Sequence, residues 1–238
     1  MKGYGCKMQI SKSITDWYLG NNRENVKETP KTGFKRVLYF IWNYSGKLFL
    51  VNLFFVLCSI PIITIPAALC GLNRYLIKMY KDGYGFEFMD FFREFRSQLI
   101  KSIPIGIPSL LLLFYGSYLL LISGGFQNGE QTFFVRTVAL VCLALAVLFG
   151  NFCFMLLAAF DLSSRHIIKN ALILMVCEWK SGFCALLSVL FLWGMLWLFF
   201  PVSIVFPLLG CFAVTQLAVC GSIFPAIYRK IIEPYENL

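Results

Sequence analysis

The polar residues that lie inside the apolar stretches of this sequence are neutral ones. They are Asn52, Thr64, Asn151, Thr215 and Gln216. Amides and hydroxyls in such positions can line a path for a polar solute of about the size of a sugar. They can also join neighbouring helices through hydrogen bonds. We weight the second interpretation more heavily, with Asn52, Asn151 and Gln216 as the residues that would make intramembrane contacts, and the sequence leaves both open.

Charged residues gather in two polar segments between the apolar stretches. In each segment an acidic residue precedes a basic one by three or four positions, and a second basic residue follows. The six residues are Asp90, Arg93, Arg96, Asp161, Arg165 and Lys169. Such clusters can form a docking surface for a partner protein, or they can be solvated helix faces with internal ion pairs. We predict a cytoplasmic docking platform, with the solvated face as the alternative.

The motifs of several enzyme classes are absent. The chain lacks the GxxxxGK[ST] phosphate loop, the HExxH zinc motif and the GxSxG nucleophile motif. Its only histidine is His166, and no two of its nine cysteines are spaced as CxxC. No acidic residue lies in the middle of an apolar stretch, which argues against a proton-coupled or ion-coupled pump. We therefore expect no enzymatic activity, no cofactor and no metal.

The composition is that of an integral membrane protein. Of the 238 residues, 59% are hydrophobic and 14% are charged, whereas soluble domains are about 45–50% apolar and roughly 25% charged. The net charge is +9, and the basic residues lie between apolar stretches, as expected of loops that face an anionic cytoplasmic leaflet. No nucleic-acid recognition motif accompanies them, so the expected partner is the lipid bilayer and not nucleic acid.

The apolar stretches give the number of membrane helices. The uncharged stretches are 48–73, 102–129, 137–160 and 181–228. A spanning helix needs about 20 residues, so the second and third stretches are one span each. The fourth has room for two spans, with a turn near residues 200–203 or at Pro207, where proline ends a helix.

The first stretch has three interpretations: one crossing, two crossings, or a re-entrant pair. Pro61 and Pro66 favour a hairpin between helices at roughly 35–60 and 66–82. The hairpin puts every Lys and Arg except Arg136 on one side, whereas a single crossing divides the 21 basic residues almost evenly. The positive-inside rule then favours six membrane helices with both termini cytoplasmic.

The second helix of this hairpin carries polar residues within its predicted span. They are Asn73, Arg74 and Lys78. We expect these side chains to extend to the cytoplasmic interface.

Two segments between the spans are predicted to be amphipathic helices in the headgroup layer. Segment 86–99 and segment 161–179 each show apolar residues at helical spacing. The predicted apolar stripes are Phe88, Phe91, Phe92, Phe95 and Leu99 in the first, and Ile168, Ala171, Leu172, Met175 and Trp179 in the second.

These elements define the expected architecture. Residues 1–33 form a polar N-terminal tail, residues 34–232 a transmembrane domain, and residues 233–238 a short C-terminal tail. The fold class is all-α: a polytopic bundle of about six membrane helices, the first two a hairpin or re-entrant pair, with two amphipathic helices on the cytoplasmic side.

Three segments, in this order and spacing, resemble the YesL family of bacterial integral membrane proteins. They are Leu53–Ala68, Asp90–Gln98 and Phe160–Leu174. The resemblance covers about residues 34–232 and departs from the family at Pro66, where a glycine is usual in the turn. The family has no established activity, and its members are often encoded beside sugar ABC transporters.

The resemblance therefore implies a non-enzymatic accessory or regulatory subunit in the bacterial cell membrane, associated with carbohydrate uptake of the ABC type. Its implied partner is a component of such a transporter. The alternative is a membrane-spanning permease subunit that itself forms part of the transporter.

Overall fold

The structure, a computed structural model, describes residues 33–82, 88–123, 130–160, 162–199 and 207–232. These ranges fold into helices and contain no strand, so the predicted all-α class is confirmed. The helices are α1 (Phe34–Asn43), α2 (Ser45–Cys58), α3 (Ile65–Asp82), α4 (Phe88–Gln98), α5 (Ile103–Ile122), α6 (Glu130–Ala159), α7 (Ser164–Cys177), α8 (Trp179–Leu198) and α9 (Phe212–Ile227). Apart from Gly33, the two predicted tails lie outside the described residues.

Four helical segments are long and apolar enough to cross a membrane. They are Ile103–Ile122, Phe133–Ala159, Trp179–Leu198 and Leu209–Ile231. The bent pair α1 and α2 is a candidate for a fifth crossing. Helix α3, the predicted second helix of the hairpin, is not among these candidate spans. It is 18 residues long and contains Asn73, Arg74 and Lys78.

The predicted first helix over residues 35–60 is wrong as a single element. It breaks at Tyr44, where α1 and α2 meet at 89°. Helix α1 is held away from the axis of α2 by Arg36, whose guanidinium donates to the carbonyl oxygens of Tyr80 and Lys81 at the end of α3. A cation is favourable at a helix C-terminus because the last carbonyls have no partner within the helix.

The predicted hairpin between the first two helices is formed by α2 and α3, which pack against each other. In the turn between them, the Thr64 hydroxyl lies 2.6 Å from the carbonyl oxygens of both Cys58 and Pro61. The contact with Cys58 occupies a carbonyl group that the end of α2 leaves without a helical partner.

Helix α3 is the core of the bundle. It packs against α2, α4, α6 and α9, and most of its side chains are buried, including the large ones. The fully buried large side chains of α3 are Leu72, Tyr75, Leu76 and Met79.

The predicted apolar stripe of segment 161–179 is rotated in the structure. Helix α7 buries Ile167, Ala171 and Leu174, so only Ala171 of the predicted stripe lies at its centre. Glu178, which follows α7, is also buried and pairs with Arg229 after α9 at 3.0 Å. The four buried residues share one helix face, and the ion pair fixes the face that points inward.

Candidate functional site: a polar network around α3

Three side-chain amides meet inside the bundle where α3, α6 and α9 come together. Nε2 of Gln216 donates to Oδ1 of Asn73 at 2.7 Å and to Oδ1 of Asn151 at 3.3 Å. Asn73 is fully buried and Gln216 is nearly so. A buried amide is costly unless it is hydrogen-bonded, so this cluster holds three helices in one register.

One donor group of the amide cluster has no hydrogen-bond acceptor among the described residues. Nδ2 of Asn151 donates to the carbonyl oxygen of Val147 in its own helix at 2.9 Å. Nδ2 of Asn73 is buried and has no hydrogen-bond partner among the residues that the structure describes. The cluster therefore contains one buried N–H group that a further acceptor could satisfy.

A further buried amide, that of Asn52, joins α2 to the start of α9. Its Nδ2 donates to the carbonyl oxygen of Pro207 at 2.9 Å, and its Oδ1 accepts from the backbone N–H of Ala213 at 3.1 Å. Between these two residues the chain passes through Gly210 at φ 139°, a conformation that favours glycine. Asn52 thus satisfies backbone groups at an irregular helix start.

A set of ion pairs attaches α4 to α3. Nζ of Lys78 lies 2.8 Å from the carboxylate of Asp90, and Nε of Arg74 lies 3.9 Å from that of Glu94. Nη1 of Arg74 also donates to the carbonyl oxygen of Ala158 at 2.8 Å, near the end of α6. Arg74 therefore links three helices, next to the amide cluster at Asn73.

Gly71 allows α4 to lie directly on α3. A Cβ atom at Gly71 would lie 3.0 Å from the carbonyl oxygen of Phe91 and 3.1 Å from its ring. The Phe91 side chain is fully buried, and the ring of its neighbour Phe92 is 5.0 Å from the ring of Phe54 in α2. Close backbone approach at a small residue is typical of helix contacts in membrane proteins.

These contacts correct one expectation. Asn73, predicted to extend to the interface, is instead fully buried and contacts Gln216, whereas Arg74 and Lys78 stay partly exposed and pair with Glu94 and Asp90. The sequence contains a signal for these pairings, because two basic residues and two acidic residues share the same spacing of four. They are Arg74, Lys78, Asp90 and Glu94.

The structure divides the six residues predicted to form a docking platform. Asp90 points inward to Lys78, which is a correction to its expected outward position, because a carboxylate is better stabilised beside a cation than in contact with lipid. Asp161 lies outside the described residues. The exposed members of the platform are all basic: Arg93, Arg96, Arg165 and Lys169.

The network does not resemble a metal centre. Among the described ranges no group of three or more His, Cys, Asp or Glu side chains is placed to hold a metal ion. A cavity of about 330 Å³ lies between α8 and α9, and its walls are apolar side chains together with Gly210 and Cys211. What the network can do is hold helices α3, α4, α6 and α9 in fixed positions.

Part of the chain matches a known protein family. Residues 48–120 match the family described as "Protein of unknown function, DUF624". No curated protein and no solved structure matches the chain. The matched segment runs from Leu48 in α2 almost to the end of α5, and it includes Gly71 and both ion pairs between α3 and α4. Over this segment, which contains the core helix and the amphipathic helix attached to it, the chain is similar to family DUF624.

Proposed function

We propose that this protein is a non-enzymatic accessory or regulatory subunit of a bacterial cell membrane, which acts by contact through the basic exposed faces of α4 and α7. The resemblance to the YesL family supports a component of a carbohydrate ABC transporter as the partner. The observation that carries the proposal is the division of charge on α4. Its acids are used inside the protein, and its arginines face outward.

The division of charge on α4 is marked. The side chains of Asp90 and Glu94 are 15% and 17% exposed, whereas that of Arg93 is 79% exposed. Arg96 is exposed as well. Both acids pair with α3, and Asp90 also lies 3.8 Å from Arg93. The outer face of α4 still presents the two exposed arginines, Arg93 and Arg96, which are complementary to an acidic partner surface.

The exposed face of α7 has the same character. Arg165 and Lys169 are exposed on its first half, and Leu172, Ile173 and Val176 are exposed on its second half. Basic residues beside exposed apolar ones are typical of a surface that binds both by charge and by burial.

Attachment to the core makes α4 a fixed docking element. Lys78, Arg74 and the contact of Phe91 on Gly71 hold it against α3. A binding surface that is already ordered loses less conformational entropy on association than a mobile loop does. A partner that shifts α4 on binding would also shift α3, and with it the amide cluster. Such coupling suits a regulatory subunit.

The proposed orientation places both termini in the cytoplasm. Its support is that Arg36 contacts the end of α3, that Arg229 follows α9, and that the ring of Tyr80 near the end of α3 is 6.0 Å from that of Phe224 near the end of α9. Basic residues thus gather at one end of the bundle, as the positive-inside rule requires of the cytoplasmic end. Reporter fusions after Asp82 and after Gln127 should give cytoplasmic and exterior signals respectively, and an exterior signal after Asp82 would contradict this orientation.

Charge reversal tests the docking surface. Arg93→Glu, Arg96→Glu, Arg165→Glu and Lys169→Glu are combined, and the protein is purified in mild detergent with whatever binds to it. We expect the variant to insert in the membrane normally and to lose the partner that the natural protein retains.

The matched control reverses Lys180 and Lys230, which are also exposed but lie outside α4 and α7. It should keep the partner. If the quadruple variant keeps every partner, if the control loses it equally, or if the natural protein purifies alone, the docking proposal is wrong.

One observation favours the alternative, a permease subunit. The amides of Asn73, Asn151 and Gln216 lie inside the bundle with a donor group to spare, as residues along a polar path would. In proteoliposomes, sugar flux that is lost in Asn73→Leu but kept in a variant of the exposed hydroxyl Ser188 would establish the permease. Absence of flux in the natural protein would favour the accessory role.

A further inference from the structure

Helix α1 carries an apolar stripe that the rest of the described chain does not cover. Phe34, Leu38 and Trp42 are 74%, 48% and 86% exposed. They follow one another at intervals of four, so they form one continuous face of the helix. The face contains no charged residue.

A second face of α1 is fixed to the bundle. Val37 and Phe40 are buried, and the ring of Phe40 is 6.3 Å from that of Tyr80. Val37 lies over Gly221 so closely that a Cβ atom there would be 2.6 Å from its Cγ2. Arg36 adds its bonds to the carbonyl groups at the end of α3. The rotation of α1 about its axis is therefore set by the protein.

The remaining face of α1 is polar. At 3.6 residues per turn, each residue is rotated by about 100° from the one before it. Lys35 and Asn43 are exposed on the side next to the stripe, and Tyr39 between them is partly buried against the core. In cross-section the helix shows protein contact, exposed apolar surface and polar surface in succession.

The 89° bend between α1 and α2 gives this arrangement its meaning. If α2 runs along the bilayer normal, α1 lies in the plane of the membrane surface. We propose that α1 is an interfacial helix and that the bilayer itself covers its exposed stripe. Phe34, Leu38 and Trp42 insert among the acyl chains beneath the headgroups. The polar face with Lys35 meets the headgroups and water.

Two features favour lipid over a protein partner. Tryptophan is enriched at the membrane interface, where its ring is apolar and its N–H can still reach a polar group. The next helix, α2, also exposes apolar side chains that the bilayer must cover in any case, among them Phe49 and Leu57. The buried face and the bend together hold the stripe at one depth, so α1 fixes how deeply this end of the bundle sits.

Fluorescence quenching by brominated lipids tests the depth of the stripe. The chain has five tryptophans. In the test variant, Trp17, Trp179, Trp193 and Trp197 are replaced by Phe, which leaves Trp42 as the only emitter. The protein is reconstituted in phosphatidylcholine bilayers with bromine at different acyl positions. We expect blue-shifted emission and loss of most of its intensity with bromine near the ester end of the chain, since an interfacial helix lies about 5–10 Å into the headgroup and acyl boundary.

The control moves the tryptophan by one residue. Trp42→Phe with Asn43→Trp, in the same background, places the indole on the polar face, and it should show red-shifted emission and little quenching. If the four-site background does not fold, the same quantities are obtained as the difference between the natural protein and Trp42→Phe, which alters a single exposed side chain.

Three outcomes would overturn the proposal. Equal quenching at positions 42 and 43 would mean that the stripe is not inserted. Weak quenching of Trp42 that becomes strong at low protein-to-lipid ratio would show that a second copy of the protein covers the stripe. Weak quenching that becomes strong when residues 1–32 are deleted would show that the N-terminal tail covers it.

Discussion

In soluble proteins the more apolar of two helices is usually the more buried one, and helices α3 and α8 show the reverse. Helix α8 is among the most apolar segments of the chain, yet only 11% of its 18-residue window is buried in the protein. Helix α3 carries Asn73, Arg74 and Lys78, and it lies at the centre of the bundle. In this protein the more polar helix is the more buried one.

The solvent explains the inversion. Lipid tails are as apolar as leucine, so an apolar side chain gains little by leaving lipid for protein. A charged or amide side chain in lipid is costly, and it is stabilised by partners that only other helices can supply. The amides and cations of α3 therefore draw α4, α6 and α9 around it, while α8 remains at the periphery.

The largest difference between the two helices is expected for truncation of a leucine. Leu72→Ala in α3 opens a cavity where the side chain is fully buried, and it should lower the free energy of unfolding by about 2–5 kcal/mol. Leu190→Ala in α8 removes an exposed side chain and should change it by less than about 0.5 kcal/mol. Thermal unfolding of both variants in one detergent provides the measurement. Equal losses would show that α8 is packed against something in the native state.

Glycine replacement should give the next largest difference. Gly71→Leu forces a side chain against the backbone of Phe91 and is expected to cost about 1–3 kcal/mol through overpacking. Gly194→Leu in α8 meets open space, since nothing lies within 4 Å of its Cβ position. The readout is retention of a monodisperse peak in size-exclusion chromatography after heating. Tolerance of leucine at Gly71 would contradict the close contact of α3 and α4.

Loss of an amide should have a smaller effect. Asn73→Ala leaves Nε2 of Gln216 without its shorter hydrogen bond, at a cost of about 1–2 kcal/mol. Ser188→Ala in α8 removes a hydroxyl that bonds only to the carbonyl oxygen of Cys184 in its own helix, at 2.8 Å, and it should be nearly neutral. Unfolding in a graded denaturing detergent compares them. If the double variant Asn73→Leu with Gln216→Leu is also destabilised, the cluster contributes more than the avoidance of unpaired groups.

The smallest effect is expected from the ion pair of Lys78 and Asp90. Both side chains keep some exposure, so the pair should contribute about 0.5–1 kcal/mol. Lys78→Asp alone should destabilise the protein, and adding Asp90→Lys should restore part of the loss. A double-mutant cycle measures the coupling. A coupling of zero would leave the Arg74–Glu94 pair and the contact of Phe91 on Gly71 to hold α4.

Much of this fold follows from local patterns. The stretch 102–129 contains α5, the stretch 137–160 coincides with α6 as far as Ala159, and segment 86–99 contains α4 over residues 88–98. These predictions depend on runs of apolar residues and on helical periodicity, which are properties of neighbouring residues. The division of stretch 181–228 into two helices follows in the same way from its length and its prolines.

The failures share one cause, which is a contact between residues distant in the chain. The bend at Tyr44 depends on Arg36 reaching Tyr80, and the rotation of α7 depends on Glu178 pairing with Arg229, 51 residues away. The inward orientation of Asp90 depends on Lys78. Periodicity cannot identify such partners, because it describes one helix at a time.

Composition and periodicity thus determined that this chain is an all-α membrane protein, where most of its helices lie, and which polar side chains inside the apolar stretches would need partners. Only the tertiary structure decided which partners those are: Gln216 for Asn73, Glu94 for Arg74, and Asp90 for Lys78. The physical reason is that lipid accepts apolar surface from any helix almost equally, so apolarity sets how many helices enter the membrane and not how they are arranged. The arrangement comes from the few polar groups, whose hydrogen bonds and ion pairs have specific geometry and can be satisfied in only a small number of ways.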